Sequence, residues 1–154
     1  VEATVAALVR DNVVDGGLME GLSADVVAAR AAVCEVAEVR DVLEQIAREE
    51  RSHAALSWAA LGWLREAYPV EFEAVLTDAL QTLESKSAPR WSSQTWQTWQ
   101  TRAMGADPYA LRQHGGPLDA AETRQLWDAR VAATRTQATE LLRSAGAAGA
   151  GEVA

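Results

Sequence analysis

An apolar stripe that repeats every three or four residues dominates the middle of the chain and predicts a long amphipathic helix. The residues on this stripe are Leu43, Ile46, Ala47, Glu50, His53, Ser57, Leu61 and Leu64. Two of them, Glu50 and His53, can ligate a metal ion. Because a spacing of three turns an α-helix by about 300°, they lie about 60° apart on one face. We expect both side chains to point towards a core and to form part of a metal site.

A second carboxylate lies on the apolar stripe of the preceding segment, thirty residues before Glu50. This stripe comprises Val13, Gly17, Glu20, Ala24, Val27 and Ala31. On one continuous helix Glu20 and Glu50 would be about 45 Å apart. A turn near residue 35, with Asp41 as the N-cap of the next helix, would instead place the two carboxylates at the same height in an antiparallel pair. The adjacent Gly16 and Gly17 then indicate a close approach between helices or a slight kink.

These residues resemble a known family of metal proteins. The segment Ile46-Ala47-x-Glu49-Glu50-x-x-His53-Ala54-x-Leu56-x-Trp58 is similar to the last ligand helix of bacterial ferritin-like di-iron proteins, in the rubrerythrin and ferritin superfamily. The run from Asp11 to Glu20 resembles the ligand helix that precedes it. The resemblance covers roughly residues 5–66 and implies an all-α, antiparallel helical bundle. It makes Glu20, Glu50 and His53 metal ligands and Asp15 an alternative carboxylate.

The chain departs from the family pattern at several positions. Asp15 stands where a Glu is usual and Gly17 where a Cys is usual, and Ala37-Glu38 replaces the Asp-Pro of the turn. More importantly, a complete site takes a Glu from each of two helices and a Glu-x-x-His from each of two others. This chain supplies one such Glu and one Glu-x-x-His. Its other histidine, His114, lies in a turn-rich segment and does not form a second Glu-x-x-His.

The missing half of the site has two candidate sources. It could lie in sequence upstream of residue 1, or two copies could assemble a site across a two-fold axis. Residues 1–9 start inside an amphipathic pattern, so we expect a chain taken from the middle of a larger domain. The resemblance implies two iron or manganese ions with oxygen, peroxide or metal-oxidation chemistry, and it leaves an enzymatic role open. The alternative is a metal-free helical scaffold or interaction domain.

Composition restricts the other classes of function. The chain has 154 residues, 49% of them apolar, which suits one single-core domain. A net charge of −8 argues against a nucleic-acid partner, and no apolar run approaches the length of a membrane span. The single cysteine, Cys34, excludes an internal disulfide, and we expect it to pack near the helical corner. We expect a cytoplasmic protein, with a secreted or processed form as the alternative.

The second half of the chain predicts accessory helices. Pro69 ends the ligand helix, and residues 70–86 continue as another amphipathic helix. A polar break precedes Trp91, Trp96 and Trp99, which we expect to pack against the bundle, with carbohydrate binding as the alternative. Residues 105–117 indicate a long loop that contains His114.

A capping box then predicts the start of a final helix, with Asp119 as N-cap and Glu122 three residues later. This helix should run to about residue 143, with an apolar face formed by Leu126, Trp127, Val131, Ala133, Thr134, Ala138 and Leu141. We therefore expect a single helical domain at residues 1–143, followed by a flexible tail at 144–154. Within the domain, residues 1–66 form the ligand-bearing helix pair and residues 70–143 the accessory helices and loop.

Overall fold

The computed structural model describes residues 4–85 and 108–149, and all regular structure in these ranges is helical. The elements are α1 (Val5–Asp11), a π-helix, π1 (Asn12–Glu20), α2 (Gly21–Val33), α3 (Ala37–Ala67), α4 (Pro69–Ser85), α5 (Pro108–Gln113) and α6 (Ala120–Gly149). The prediction of an all-α fold is confirmed. Trp91, Trp96 and Trp99 lie outside the described residues, so their predicted role stays a prediction.

The first three elements form one uninterrupted helix. It begins after Thr4, whose side chain accepts a hydrogen bond from the backbone N–H of Ala7 at 3.1 Å and so caps an otherwise unpaired donor. The π-helical stretch in its middle has no break at either end, since Asp11 and Gly21 both have α-helical backbone angles. The predicted stripe is present along this helix: Val13, Gly17, Ala24, Val27 and Ala31 are buried and Glu20 is half-buried.

A three-residue connection, Cys34 to Val36, reverses the chain between α2 and α3, which confirms the turn predicted near residue 35. The predicted N-cap was wrong. Asp41 lies inside α3, and the extended Val36 occupies the cap position with no side-chain hydrogen bond. The backbone N–H of Arg40 donates to the carbonyl of Val36, so helical bonding starts before Asp41 is reached.

Helices α2 and π1 pack along α3 in an antiparallel pair. Cys34 is 3% exposed and joins a small apolar cluster at the corner, as predicted, with Val27, Ala31, Leu43 and Ala47. This antiparallel pair brings Glu20 and Glu50 close together, although they are thirty residues apart in the sequence.

Helices α4 and α6 pack against the first helix and against α3, and they complete the main core. Pro69 begins α4 directly after α3 ends, as predicted, and Phe72, Leu76, Ala79 and Leu83 are buried on its inner face. On α6, Arg130 ties this layer to α2 because its Nε and Nη2 donate to the two carboxylate oxygens of Asp25 at 2.8 and 2.7 Å. The rest of the main core comprises Val9, Val13, Leu18, Leu22, Val26, Leu61, Leu64, Trp127 and Ala138.

The segment between α5 and the start of α6 corrects one prediction and confirms another. The predicted loop at 105–117 contains the short helix α5. Arg30 holds the turn that follows it by donating to the carbonyl of Gly115 at 3.0 and 2.6 Å. The capping box is present: the N–H of Glu122 donates to Asp119 at 2.8 Å, and that of Asp119 donates to Glu122 at 3.2 Å.

Helix α6 is longer than predicted. It continues to Gly149 instead of ending near residue 143, because an existing helix extends without a new nucleation step. Ala133 is exposed instead of buried, while Trp127, Thr134 and Ala138 are buried as expected. No described helix combines the length and apolarity needed to cross a membrane.

Candidate metal site

Glu20, Glu50 and His53 come together where π1 ends beside the middle of α3. The Nδ1 atom of His53 lies 3.8 Å from Oε2 of Glu20 and 3.8 Å from Oε2 of Glu50. One ligand atom from each of the three residues falls within 4.8 Å of the other two. Among the described residues, no other group of three His, Cys, Asp or Glu side chains is close enough to share an ion. The structure therefore brings together the three residues that the sequence predicts.

Two glycines set the distance between the helices that carry these side chains. A Cβ atom on Gly16 would lie 1.9 Å from Oγ and 2.3 Å from Cβ of Ser57, and one on Gly17 would lie 2.7 Å from the Trp58 ring. Only glycine permits the backbone of π1 to approach α3 this closely. The close approach predicted from Gly16-Gly17 is confirmed, and it lets the side chains of Glu20 and Glu50 meet across the seam.

The π-helix that precedes Glu20 was not predicted from the sequence. Over Asn12–Glu20 the backbone hydrogen bonds take the wider π pattern, which changes the direction in which successive side chains point. Such segments are frequent at functional sites. The available signal was the Gly16-Gly17 pair inside an otherwise regular helical pattern, which indicates irregular packing without specifying a π-helix.

The two carboxylates interact unfavourably when both are charged. Hydrogen bonding to Glu20 raises the pKa of Glu50, and partial burial and the negative charge of Glu20 act in the same direction. His53 opposes this shift by favouring the charged form of Glu50. A cation bound between the two carboxylates would relieve the repulsion that raises this pKa.

The cluster lies on the surface, which corrects the expectation that both α3 ligands point towards a core. The His53 side chain is 61% exposed, that of Glu20 is 40% exposed and that of Glu50 is 23% exposed. The physical reason is that π1 contacts α3 from one side only, and none of the other described helices covers the other side of His53. Next to the cluster is an open groove of about 350 Å³, lined by Asp11, Asn12, Asp15, Gly16, Glu20, His53, Leu56 and Ser57.

The composition of the cluster fits a divalent metal ion. Two ligand atoms that each lie about 2.1 Å from one ion can be at most about 4.2 Å apart. The 3.8 Å distances from His53 to both carboxylates satisfy this limit and exceed a hydrogen-bond distance. Two carboxylates and one imidazole are ligand types that suit iron and manganese. Asp15, the alternative carboxylate suggested by the sequence, is exposed on the groove wall and does not belong to this group of three.

Two polar residues that the sequence placed outside the site are separate from it. Glu49 is exposed and accepts a hydrogen bond from Gln45 at 2.9 Å. His114 is an exposed turn residue whose backbone N–H donates to the carbonyl of Leu111. The groove residues Asp11, Asn12 and Leu56 were missed by sequence reasoning, because lining a groove depends on how two helices pack.

Comparison of the chain with protein-family models, curated proteins and solved structures finds no match.

Proposed function

We propose that this chain is a ferritin-like metal-binding protein in which Glu20, Glu50 and His53 form one half of a di-iron or di-manganese carboxylate site. The observation that carries the proposal is the convergence of these side chains, from two antiparallel helices, within 4.8 Å. The raised pKa of Glu50 supports it, because paired carboxylates that repel one another are stabilised by a cation. A second Glu and Glu-x-x-His set, from another copy or from helices outside this chain, would complete the site.

The residues of this chain would have distinct roles at such a site. Glu20 and Glu50 would bind the metal and neutralise part of its charge. His53 would supply a nitrogen ligand. The groove beside the cluster gives small molecules access to it. Iron or manganese held there would supply oxygen or peroxide chemistry, or would itself be oxidised.

The test is metal-dependent stabilisation of the purified chain. Mn(II), or Fe(II) under anaerobic conditions, should raise the melting temperature, since ligand at one hundred times Kd stabilises the folded state by about 2.7 kcal/mol. Glu50→Ala and His53→Ala should abolish the increase. Glu44→Ala is the matched control, because Glu44 is an exposed glutamate on the same helix that is paired with Arg48 at 3.9 Å.

The competing function, a metal-free helical scaffold, predicts a different pattern. Its supporting observation is the exposure of His53, which leaves that side chain accessible to another protein. On this view the melting temperature does not respond to metal. His53→Ala then changes stability equally with and without Mn(II), and that result would contradict the proposed metal site.

A further inference from the structure

The face that the first helix presents to the main core shifts by one residue inside π1. Consecutive buried residues on this face are four apart, except across π1, where the spacing is five. These residues are Val9, Val13, Leu18, Leu22 and Val26. In an α-helix a spacing of four keeps side chains on one face, whereas a spacing of five turns them about 140° apart. A π-helical turn removes this mismatch, because its hydrogen bonds span five residues. The turn between Val13 and Leu18 therefore holds one residue more than an α-helix needs.

Asp15 is the one exposed residue of this wide turn. Its neighbours are used in packing, because Val14 contacts the main core and Gly16 and Gly17 lie against α3. If Asp15 were removed, the spacing across the turn would become four, and one continuous α-helix could keep the same face towards the core. The core therefore does not require this residue.

The extra residue places a carboxylate on the wall of the groove beside the metal cluster. Asp15 and Glu20 both line this groove, and they are five residues apart, which is one π-helical turn. In an α-helix the same spacing would turn them about 140° away from each other. Asp15 forms no salt bridge with another described residue, so its charge is not neutralised there. Because it lies outside the group of three ligands, it would act on a bound ion through its charge.

We propose that Asp15 is an inserted residue whose role lies in the metal site and not in the core. The wide turn of π1 accommodates it on the groove wall, where its charge strengthens the binding of a divalent cation by Glu20, Glu50 and His53. This inference rests on the proposed function, which supplies the cation. A single carboxylate about 8 Å from a divalent ion changes the dissociation constant about threefold to tenfold at low ionic strength.

Deletion of Asp15 and the substitution Asp15→Asn test the two parts of this inference. Both changes should raise the dissociation constant for Mn(II) about threefold to tenfold in a buffer of low ionic strength. Electron paramagnetic resonance of free Mn(II) measures this constant. In 0.5 M KCl the difference from the wild type should fall below about twofold, because the Debye length is then about 4 Å. In urea and EDTA, the deletion should unfold at or above the wild-type midpoint, since a regular α-helix replaces the π-helical turn.

Two matched controls accompany these variants. Deletion of Ala29 removes a half-buried residue from α2, where the spacing on the core face is already four. It should lower the urea midpoint by at least about 1 M, because it turns Ala31 about 100° away from the cluster at the corner. Asp41→Asn removes an exposed carboxylate from α3, about 14 Å along the helix from Glu50. It should change the dissociation constant for Mn(II) by less than about twofold.

The outcomes distinguish this inference from the proposed function. Wild-type affinity for Mn(II) in both Asp15 variants would overturn the inference and leave the proposed function standing. The same holds if deletion of Asp15 destabilises the protein as much as deletion of Ala29, because the core would then require the residue. A loss of affinity that persists unchanged in 0.5 M KCl would refute the role of the charge. If Mn(II) binds to no version of the chain, the proposed function fails, and the inference fails with it.

Discussion

Replacing Gly16 by alanine is the most direct test of how the candidate site is positioned. The new Cβ would lie 2.3 Å from Cβ of Ser57, a separation that neither side chain can relieve by rotation, because both atoms are fixed to their backbones. Helices π1 and α3 must therefore move apart. This movement would separate Glu20 from Glu50 and weaken metal binding as well as the fold.

The magnitude follows from two opposing contributions. Overpacking of this kind costs about 3 kcal/mol, at the upper end of the usual range. Alanine gains about 1 kcal/mol over glycine inside a helix, so the net loss should be about 2 kcal/mol. Gly62→Ala is the matched control: nothing lies within 4 Å of its new Cβ, and it should stabilise the protein by about 0.5–1 kcal/mol.

Urea unfolding of both variants and of two double variants checks the reasoning. Ser57→Ala should not rescue Gly16→Ala, because the Cβ atom of residue 57 remains. Ser57→Gly should rescue it, since the nearest remaining atom, the Cα of residue 57, is at an ordinary contact distance of 3.7 Å. If Gly16→Ala is as stable as Gly62→Ala, or if Ser57→Ala rescues it fully, the close approach of the two backbones is refuted.

Two further substitutions test the electrostatics of the cluster and the packing of the core. The pKa of Glu50 is raised in the folded state, so the ionised carboxylate costs stability as the pH rises through that pKa. In EDTA, Glu50→Gln should therefore be more stable than the wild type at pH 7, by up to about 1 kcal/mol, which is the size of a screened repulsion from Glu20. At pH 4 the variant and the wild type should be equally stable. Urea unfolding at both pH values measures this, and equal stability at pH 7 would contradict it. Thr134 is 1% exposed, and its Oγ1 has no hydrogen-bond partner among the described residues. Thr134→Val should increase the free energy of unfolding by about 1 kcal/mol in the same assay. The control Thr136→Val, on the exposed surface, should change it by less than about 0.5 kcal/mol. A decrease for Thr134→Val would show that the Thr134 hydroxyl makes a hydrogen bond in the folded protein.

Local patterns predicted most of the helices and the three cluster residues. The apolar spacing around Glu50 and His53 and the capping box at Asp119 are encoded within a few residues, so they can be recognised without knowing the fold. The start of α3 could not be predicted in this way. Asp41 has good N-cap chemistry, but helical bonding begins earlier, from the extended Val36 at the end of a tight connection.

The exposure of the site could not be predicted from sequence for a related reason. Helical periodicity shows that His53 lies near an apolar stripe, but it does not show whether another helix covers that part of α3. In the structure Leu43 and Leu61 are buried, while His53 is 61% exposed. Whether a residue at the edge of a stripe is buried depends on how many neighbouring helices reach it, and this number is a property of the tertiary fold.

The sequence by itself determined that the chain is helical, where it turns near residue 35 and that Glu20, Glu50 and His53 share apolar stripes. These features depend on backbone propensity and on the regular rotation of side chains about one helix axis. Only the tertiary structure decided that π1 contains π-helical turns, that Gly16 lies against Ser57 and that the cluster opens into a groove. Each of these depends on the distance between two helices, which is set by packing between residues far apart in the chain.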